Sequence, residues 1–217
     1  MTTATAPAVV STRPSSTRPV WQRYGGGGIL IAAILLLVAT ILEYVYWTAD
    51  GDQTGTFVVF VIAFSLSLLL YLASMFPLAF GGHGDDGIVG RSIAGKAGSI
   101  AFGVLFLAGQ ALYLLANYFT DAASDFAAAN VASIVLAVLQ YVAALVASIV
   151  IVRAGVARGL ARWSLLVATI VGLVFGIIVQ TGTSLELTTI LYCISTVVQA
   201  LVGVSYLTAP RKGTATA

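Results

Sequence analysis

The chain has 217 residues, of which 59% are hydrophobic and only 8% are charged, and its mean hydropathy is +1.03. This composition excludes an ordinary soluble domain and indicates an integral membrane protein. The net charge of +2 gives no indication of a nucleic-acid partner. The single cysteine, Cys193, excludes an internal disulfide and a cysteine-based metal cluster.

The first 28 residues are rich in Thr, Ser, Pro and Gly, and they lack the apolar core of a cleavable signal sequence. We predict that residues 1–28 form a disordered cytoplasmic tail. The four glycines at 25–28 are expected to form a flexible joint before the first membrane helix.

Six apolar runs follow, each about as long as the roughly 20 residues that a helix needs to cross a hydrocarbon core. They lack the period of two of a membrane β-barrel, so the predicted fold is all-α, a polytopic six-helix bundle. The predicted membrane domain covers residues 29–209, and a short cytoplasmic tail, 210–217, follows it. The expected spans are 29–47, 57–80, 97–119, 126–152, 163–182 and 187–209.

The basic residues predict the orientation of the bundle. All ten Lys and Arg residues lie before the first span, between spans two and three, between spans four and five, or after the sixth. The other three connections carry acidic residues and no basic ones. By the positive-inside rule, both termini are predicted to be cytoplasmic, in a plasma membrane of the bacterial type.

Small and aromatic residues have structural interpretations. Gly95, Ser99 and Gly103 recur every four residues, and Gly172 and Gly176 form a GxxxG pair. Such positions allow close approach between membrane helices. Aromatic side chains at the ends of the predicted spans are expected to be interfacial anchors, among them Trp47, Tyr118 and Trp163.

Three glutamines within the spans, Gln110, Gln140 and Gln199, share helix faces with small residues and are therefore predicted to face the bundle interior. One interpretation is hydrogen bonding between helices, which contributes somewhat under about 1 kcal/mol per bond. The other is a polar cavity near mid-membrane that binds a small neutral or amphipathic solute.

Glu43 is the only acidic residue within a predicted span, about five residues from the outer end of the first helix. An acidic residue at such a position is a functional candidate because its burial is costly. No basic residue within a span can pair with it, so a fully buried Glu43 is expected to be protonated. Its shallow depth also allows contact with interfacial water.

The connection between spans two and three, 81–98, concentrates the chain's chemically versatile groups. Its segment GRSIAGKA, 90–97, approaches a phosphate-binding loop, but Ala97 replaces the metal-binding hydroxyl and no parallel sheet precedes the motif. Nucleotide binding is therefore not expected. His83, Asp85 and Asp86 are candidate metal ligands, and the alternative is a solvated turn with basic residues near anionic headgroups.

Within this connection, DGIVGR at 86–91 resembles the opening of the signature of the CDP-alcohol phosphotransferases. That family has six membrane helices and two catalytic metal ions held by Asp residues. Here His83 stands in place of the first Asp, Gly90 replaces an Ala, and the next helix supplies no acidic residue. A two-metal site cannot form without those residues, so the chain is not assigned to the family.

Three classes of function remain open. The first is a non-catalytic membrane protein, an accessory subunit or scaffold of a membrane complex. The second is a small-solute transporter or substrate-binding membrane subunit that uses Glu43 and a Gln-lined interior. The third is a membrane enzyme acting at the 81–98 connection. No cofactor is indicated; the expected partners are the lipid bilayer and either other membrane proteins or further copies of the chain.

Overall fold

A computed structural model describes residues 19–82, 86–119 and 123–210, and this part of the chain is all-helical. A short π-helical segment, Trp21–Gly26, leads without interruption into the first of six long helices. These are α1 (Gly27–Thr48), α2 (Thr54–Phe80), α3 (Ile93–Tyr118), α4 (Ala123–Ala154), α5 (Ala161–Gln180) and α6 (Leu185–Leu207).

All six helices are long and apolar enough to cross a membrane, which confirms the predicted number of spans and indicates a multi-pass integral membrane protein. The helix ends differ from the predicted ones by a few residues. Helices continue beyond their apolar core into interfacial residues, and hydropathy alone does not mark those ends.

The largest difference lies at the start of the first helix. Residues 1–18 of the predicted tail lie outside the described residues, but the chain is helical from Val20 onward, and the spanning helix begins at Trp21. The glycines at 25–28 are therefore not a flexible joint. A Cβ atom at Gly28 would lie 2.0 Å from the Ser74 Oγ, and one at Gly26 would lie 2.9 Å from the Tyr206 Cβ. These glycines allow close helix packing, which overrides their conformational freedom.

The segment before these glycines is also fixed to the bundle. Trp21 and Gln22 are buried, and the Gln22 side-chain amide donates a hydrogen bond to the Ala209 carbonyl oxygen at 3.0 Å. The Trp21 ring packs edge-on against Tyr206 of α6. The first and last helices are thereby joined near the two ends of the described chain.

The helices follow one another around a ring. Each packs against its neighbours in sequence, and α6 closes the ring by packing against α1. Because consecutive helices run in opposite directions, one end of the bundle holds the turns after α1, α3 and α5, and the other holds the turns after α2 and α4. We call them the acidic end and the basic end, after the charges of their connections.

Glycines bring neighbouring helices into contact. A Cβ at Gly203 of α6 would lie 2.6 Å from the backbone nitrogen of Leu30. On α3, Gly95 faces Val150 of α4, whereas Gly103 faces Met75 of α2. The small-residue positions of α3 therefore allow close packing against two helices, α2 and α4.

The GxxxG pair of α5 has a different role from backbone-to-backbone packing. Gly172 and Gly176 both face the ring of Tyr141 on α4, and the Tyr141 hydroxyl donates to the Gly172 carbonyl oxygen at 2.7 Å. The two glycines thus accommodate an aromatic side chain.

Candidate functional site

Glu43 lies in the last turns of α1, and two tyrosines of α3 bind its side chain. The hydroxyls of Tyr113 and Tyr118 each donate a hydrogen bond to the Glu43 Oε1 atom, both at 2.6 Å. An ionised carboxylate only accepts hydrogen bonds, so two O–H donors compensate for the absence of a basic partner. The pair connects α1 to α3, which are not neighbours in the ring.

The two tyrosines lie five positions apart on α3, so their side chains leave the helix in directions that differ by about 140°. Tyr118 is the last residue of α3. Their hydroxyls nevertheless converge on one carboxylate oxygen.

A third group extends this hydrogen-bonded chain. The Trp47 indole nitrogen donates to the Tyr118 hydroxyl oxygen at 3.0 Å. Trp47 follows Glu43 by one helical turn, so the two side chains share a face of α1. The order is indole, phenol, carboxylate, with each hydrogen bond donated towards Glu43.

Aromatic rings surround this network. The Tyr118 ring centroid lies 5.4 Å from that of Phe57, 5.5 Å from that of Phe60 and 6.0 Å from that of Tyr46. Rings at these separations stabilise one another beyond the area that they bury. They hold the Tyr118 hydroxyl in position for Glu43.

A further aromatic residue, Tyr192 of α6, lies close enough to Glu43 and to Tyr141 to interact with them electrostatically. Tyr192 is 43% exposed, so its side chain does not complete a closed core. Glu43 itself is only partly buried. The carboxylate thus lies in the C-terminal half of α1, where it is hydrogen-bonded to two tyrosines of α3.

No hydrogen bond joins the three predicted glutamines to one another among the described residues. Gln199 accepts a short hydrogen bond from the hydroxyl of Tyr71, which joins α6 to α2. Gln110 and Gln140 are partly buried, and neither forms a hydrogen bond with a residue that the structure describes. The structure therefore brings Gln199 together with a tyrosine and not with the other two glutamines.

A depression of about 420 Å³ lies at the acidic end, beside Trp47. Its lining includes Tyr46, Trp47 and Phe57 and the turn between α1 and α2. In that turn, the Asp52 Oδ1 atom accepts hydrogen bonds from the Thr54 hydroxyl at 2.5 Å and from the Thr54 N–H at 2.9 Å. These bonds hold the pKa of the exposed Asp52 carboxyl below its ordinary value.

Of the three candidate metal ligands, only Asp86 lies within the described residues. His83 and Asp85 lie outside the described residues. Asp86 forms an exposed ion pair with Arg91 at 3.5 Å, and the described residues contain no group of three His, Cys, Asp or Glu side chains that could hold a metal ion.

The 81–98 connection is not solvated along its whole length. Ile88 and Val89 are fully buried, and a Cβ at Gly87 would lie 2.4 Å from the Leu78 carbonyl oxygen. Ser92 caps α3, its hydroxyl oxygen accepting a hydrogen bond from the Gly95 N–H at 3.2 Å. The segment that resembles a phosphate-binding loop, 90–97, is thus a short turn followed by the first residues of α3.

Sequence reasoning identified Glu43 but missed Tyr113, Tyr71 and Tyr192, and it treated Tyr118 and Trp47 only as anchors. One signal was available: Tyr71 and Tyr113 lie inside apolar runs rather than at their ends. A buried tyrosine hydroxyl needs a hydrogen-bond partner, so these positions predict a polar partner on another helix without identifying it.

Comparison with known proteins identifies no relative: no protein-family model, no curated protein and no solved structure matches this chain.

Proposed function

We propose that the protein is a plasma-membrane protein with both termini in the cytoplasm, and that it binds a small solute at Glu43 as a substrate-binding membrane subunit. The orientation follows from the charges of the connections, because basic segments are retained on the cytoplasmic side. The acidic end then faces outward, and Glu43 is accessible from that side.

One observation in particular supports the binding of a solute at Glu43. Both tyrosine hydroxyls bind the same carboxylate oxygen, Oε1, and the Glu43 Oε2 atom accepts no hydrogen bond from the described residues. Placing a carboxylate within a membrane span is costly, so such residues usually serve a function. An oxygen held in a fixed orientation by its neighbour, with its own lone pairs uncommitted, is suited to accept a donor from a solute.

The test is purification in mild detergent followed by native mass spectrometry of the intact protein and its bound small molecules. We expect a small molecule to remain bound to the wild type, and Glu43→Gln to reduce its occupancy by about tenfold or more, because a charge-assisted hydrogen bond contributes about 1.5–3 kcal/mol. The matched control is Glu186→Gln, an exposed acid at the same end of the bundle.

Equal occupancy in the wild type and Glu43→Gln would contradict the binding role, as would a wild-type protein that carries no small molecule. A molecule lost from both variants would indicate a general effect of negative charge at this end.

A second candidate function is an accessory subunit or scaffold of a membrane complex. Helices α3 and α5 run unbroken through Gln110 and Gly176, whereas many secondary transporters interrupt helices at the binding site. In addition, α5 buries only Ala161 and Thr169, so most of this helix is free to contact lipid or another membrane protein.

The same purification distinguishes the solute-binding role from the accessory-subunit role. A protein partner in constant ratio to the chain, retained by Glu43→Gln and lost from Val174→Trp on the exposed face of α5, would favour the subunit role. Val58→Trp on the exposed face of α2 is the control for bulk. An enzyme acting at 81–98 is not proposed, because Asp86, the acidic residue described there, is paired with Arg91.

A further inference from the structure

The depression at the acidic end has aromatic walls and a carboxylate at its edge. We call it the aromatic mouth and define it by Tyr46, Trp47, Phe57 and Asp52. Trp47 is 53% exposed, so part of its indole is available to a ligand. The volume, about 420 Å³, falls within the range of small-molecule sites.

The basic end shows how this protein uses exposed aromatic rings elsewhere. There the Arg23 guanidinium lies 5.7 Å from the centroid of the Tyr24 ring, and the Lys96 ammonium lies 5.6 Å from that of Phe80. At the start of α5, the Arg162 guanidinium lies 5.8 Å from the centroid of a Trp163 ring. Each of these rings has a cation supplied by the chain itself.

At the aromatic mouth the chain supplies no such cation. The sequence has no Lys or Arg between positions 23 and 91, between 96 and 153, or after 162 until the C-terminal tail. These stretches contain the whole acidic end. The charged residue that lines the mouth beside its rings is therefore a carboxylate, Asp52, and the negative potential there favours a cation from outside.

We propose that the aromatic mouth binds a monovalent organic cation of the quaternary ammonium type. A cation over an aromatic face, best that of Trp, is attracted by the ring quadrupole, and Trp47 supplies that face. Asp52, already held ionised by Thr54, supplies the counter-charge. A hard divalent metal needs several oxygen ligands, and Asp52 is the single carboxylate among the residues that line the mouth.

This site is separate from the Glu43 Oε2 atom and does not depend on a binding role for Glu43. The two share Trp47, whose N–H points to Tyr118 while the mouth uses its ring.

The test is calorimetric titration of the full chain in lipid nanodiscs with choline. The reference ligand is 3,3-dimethylbutan-1-ol, which has the same shape without the charge. We expect saturable binding of choline and binding of the neutral alcohol weaker by about tenfold, at the upper range of a cation–π contribution. Competition with Ca²⁺ distinguishes an organic-cation site from a metal site.

Substitutions of Trp47 test whether its aromatic ring, rather than the fold around it, is needed for choline binding. Trp47→Leu is expected to weaken choline binding by about tenfold, whereas Trp47→Phe retains a ring, loses only the N–H and is expected to weaken it less. Trp163→Leu is the matched control, because Trp163 is 51% exposed but lies at the basic end next to Arg162. Asp52→Asn keeps a side-chain oxygen that can accept from the Thr54 N–H while removing the charge, and it is also expected to weaken binding.

Absence of choline binding to the wild type would overturn the proposal. Equal binding of the neutral alcohol would also overturn it, because the site would then be merely apolar. Displacement of choline by Ca²⁺ with no effect of Trp47→Leu would assign the site to a metal ion held by carboxylates.

Discussion

At the scale of single residues, the acidic end depends on hydrogen bonds to carboxylates. Glu43 is held by two tyrosine hydroxyls, and one of them is itself held by Trp47. Removing an acceptor from such a network costs more than the bond contributes, because the partly buried donors lose their partner. The effects of substitution therefore depend on whether an acceptor remains.

Glu43→Leu is expected to lower the free energy of unfolding by about 1–3 kcal/mol for each hydroxyl that stays unpaired. Glu43→Gln retains an amide oxygen as acceptor and is expected to lower it less. The measurement is unfolding in mixed micelles by titration with a denaturing detergent, with Glu186→Gln as the exposed control. If the Gln and Leu variants are equally destabilised, the charge and not the hydrogen bonds stabilises this site.

We expect the stability of the folded protein to depend on pH through the Asp52 carboxyl. Its pKa is lowered in the folded protein by Thr54, so its contribution to stability is complete above the ordinary value of 3.8 and is lost as the pH falls through the lowered value. We expect Asp52→Asn to remove this acid-dependent part, as measured by unfolding at a series of pH values below 5. Asp50→Asn, in the same turn, is the control, and its stability should follow the same pH profile as the wild type. An unchanged profile in Asp52→Asn would contradict the role assigned to Thr54.

At the scale of helices, packing depends on positions where one backbone touches another. The crossing of α6 and α1 is the tightest of these, since Gly203 faces both the Leu30 nitrogen and the Gly26 carbonyl oxygen. Backbone atoms cannot move out of the way as a flexible side chain can, so an added methyl group must separate the two helices.

Gly203→Ala is expected to destabilise the protein by about 1–3 kcal/mol, the usual cost of overpacking. The matched control is Gly55→Ala in α2, where a Cβ atom would meet nothing within 4 Å. There the gain in helix propensity should leave stability unchanged or slightly higher. Equal stability of the two variants, measured by thermal unfolding in detergent, would show that α1 and α6 are not packed this closely.

At the scale of the whole molecule, charge and aromatic character differ between the two ends of the bundle. Three cation–π contacts lie at the basic end, and the carboxylates of Asp50, Asp52 and Glu186 lie at the other. Since basic residues resist transfer across the membrane, this asymmetry is expected to set the orientation.

The orientation can be tested by labelling single cysteines in a Cys193→Ala background. Ala49→Cys, after α1, should react with a membrane-impermeant maleimide in intact cells. Ala154→Cys, at the end of α4, should react only after the cells are permeabilised. Both positions are exposed, so their reactivity reports the side of the membrane. The opposite pattern would place the termini outside.

The number of helices could be predicted from the sequence, because each span must satisfy its backbone hydrogen bonds over a fixed hydrocarbon thickness, and hydropathy reports that requirement directly. The sequence also identified Glu43, since an acidic residue inside an apolar run is conspicuous. It did not determine the partners of Glu43. Tyr113 and Tyr118 are 70 and 75 residues away, and their approach depends on how α3 lies against α2.

The role of the glycines depends on contacts between helices. The local sequence at 25–28 is equally compatible with a flexible joint and with a close helix contact, and Ser74 and Tyr206 on other helices select the second. The tertiary structure likewise decided that Gln199 meets Tyr71 rather than Gln110 or Gln140. The physical reason is the same in each case. Membrane helices associate through short-range packing and hydrogen bonds, whose partners depend on helix rotation and depth, and periodicity along one helix does not specify either quantity.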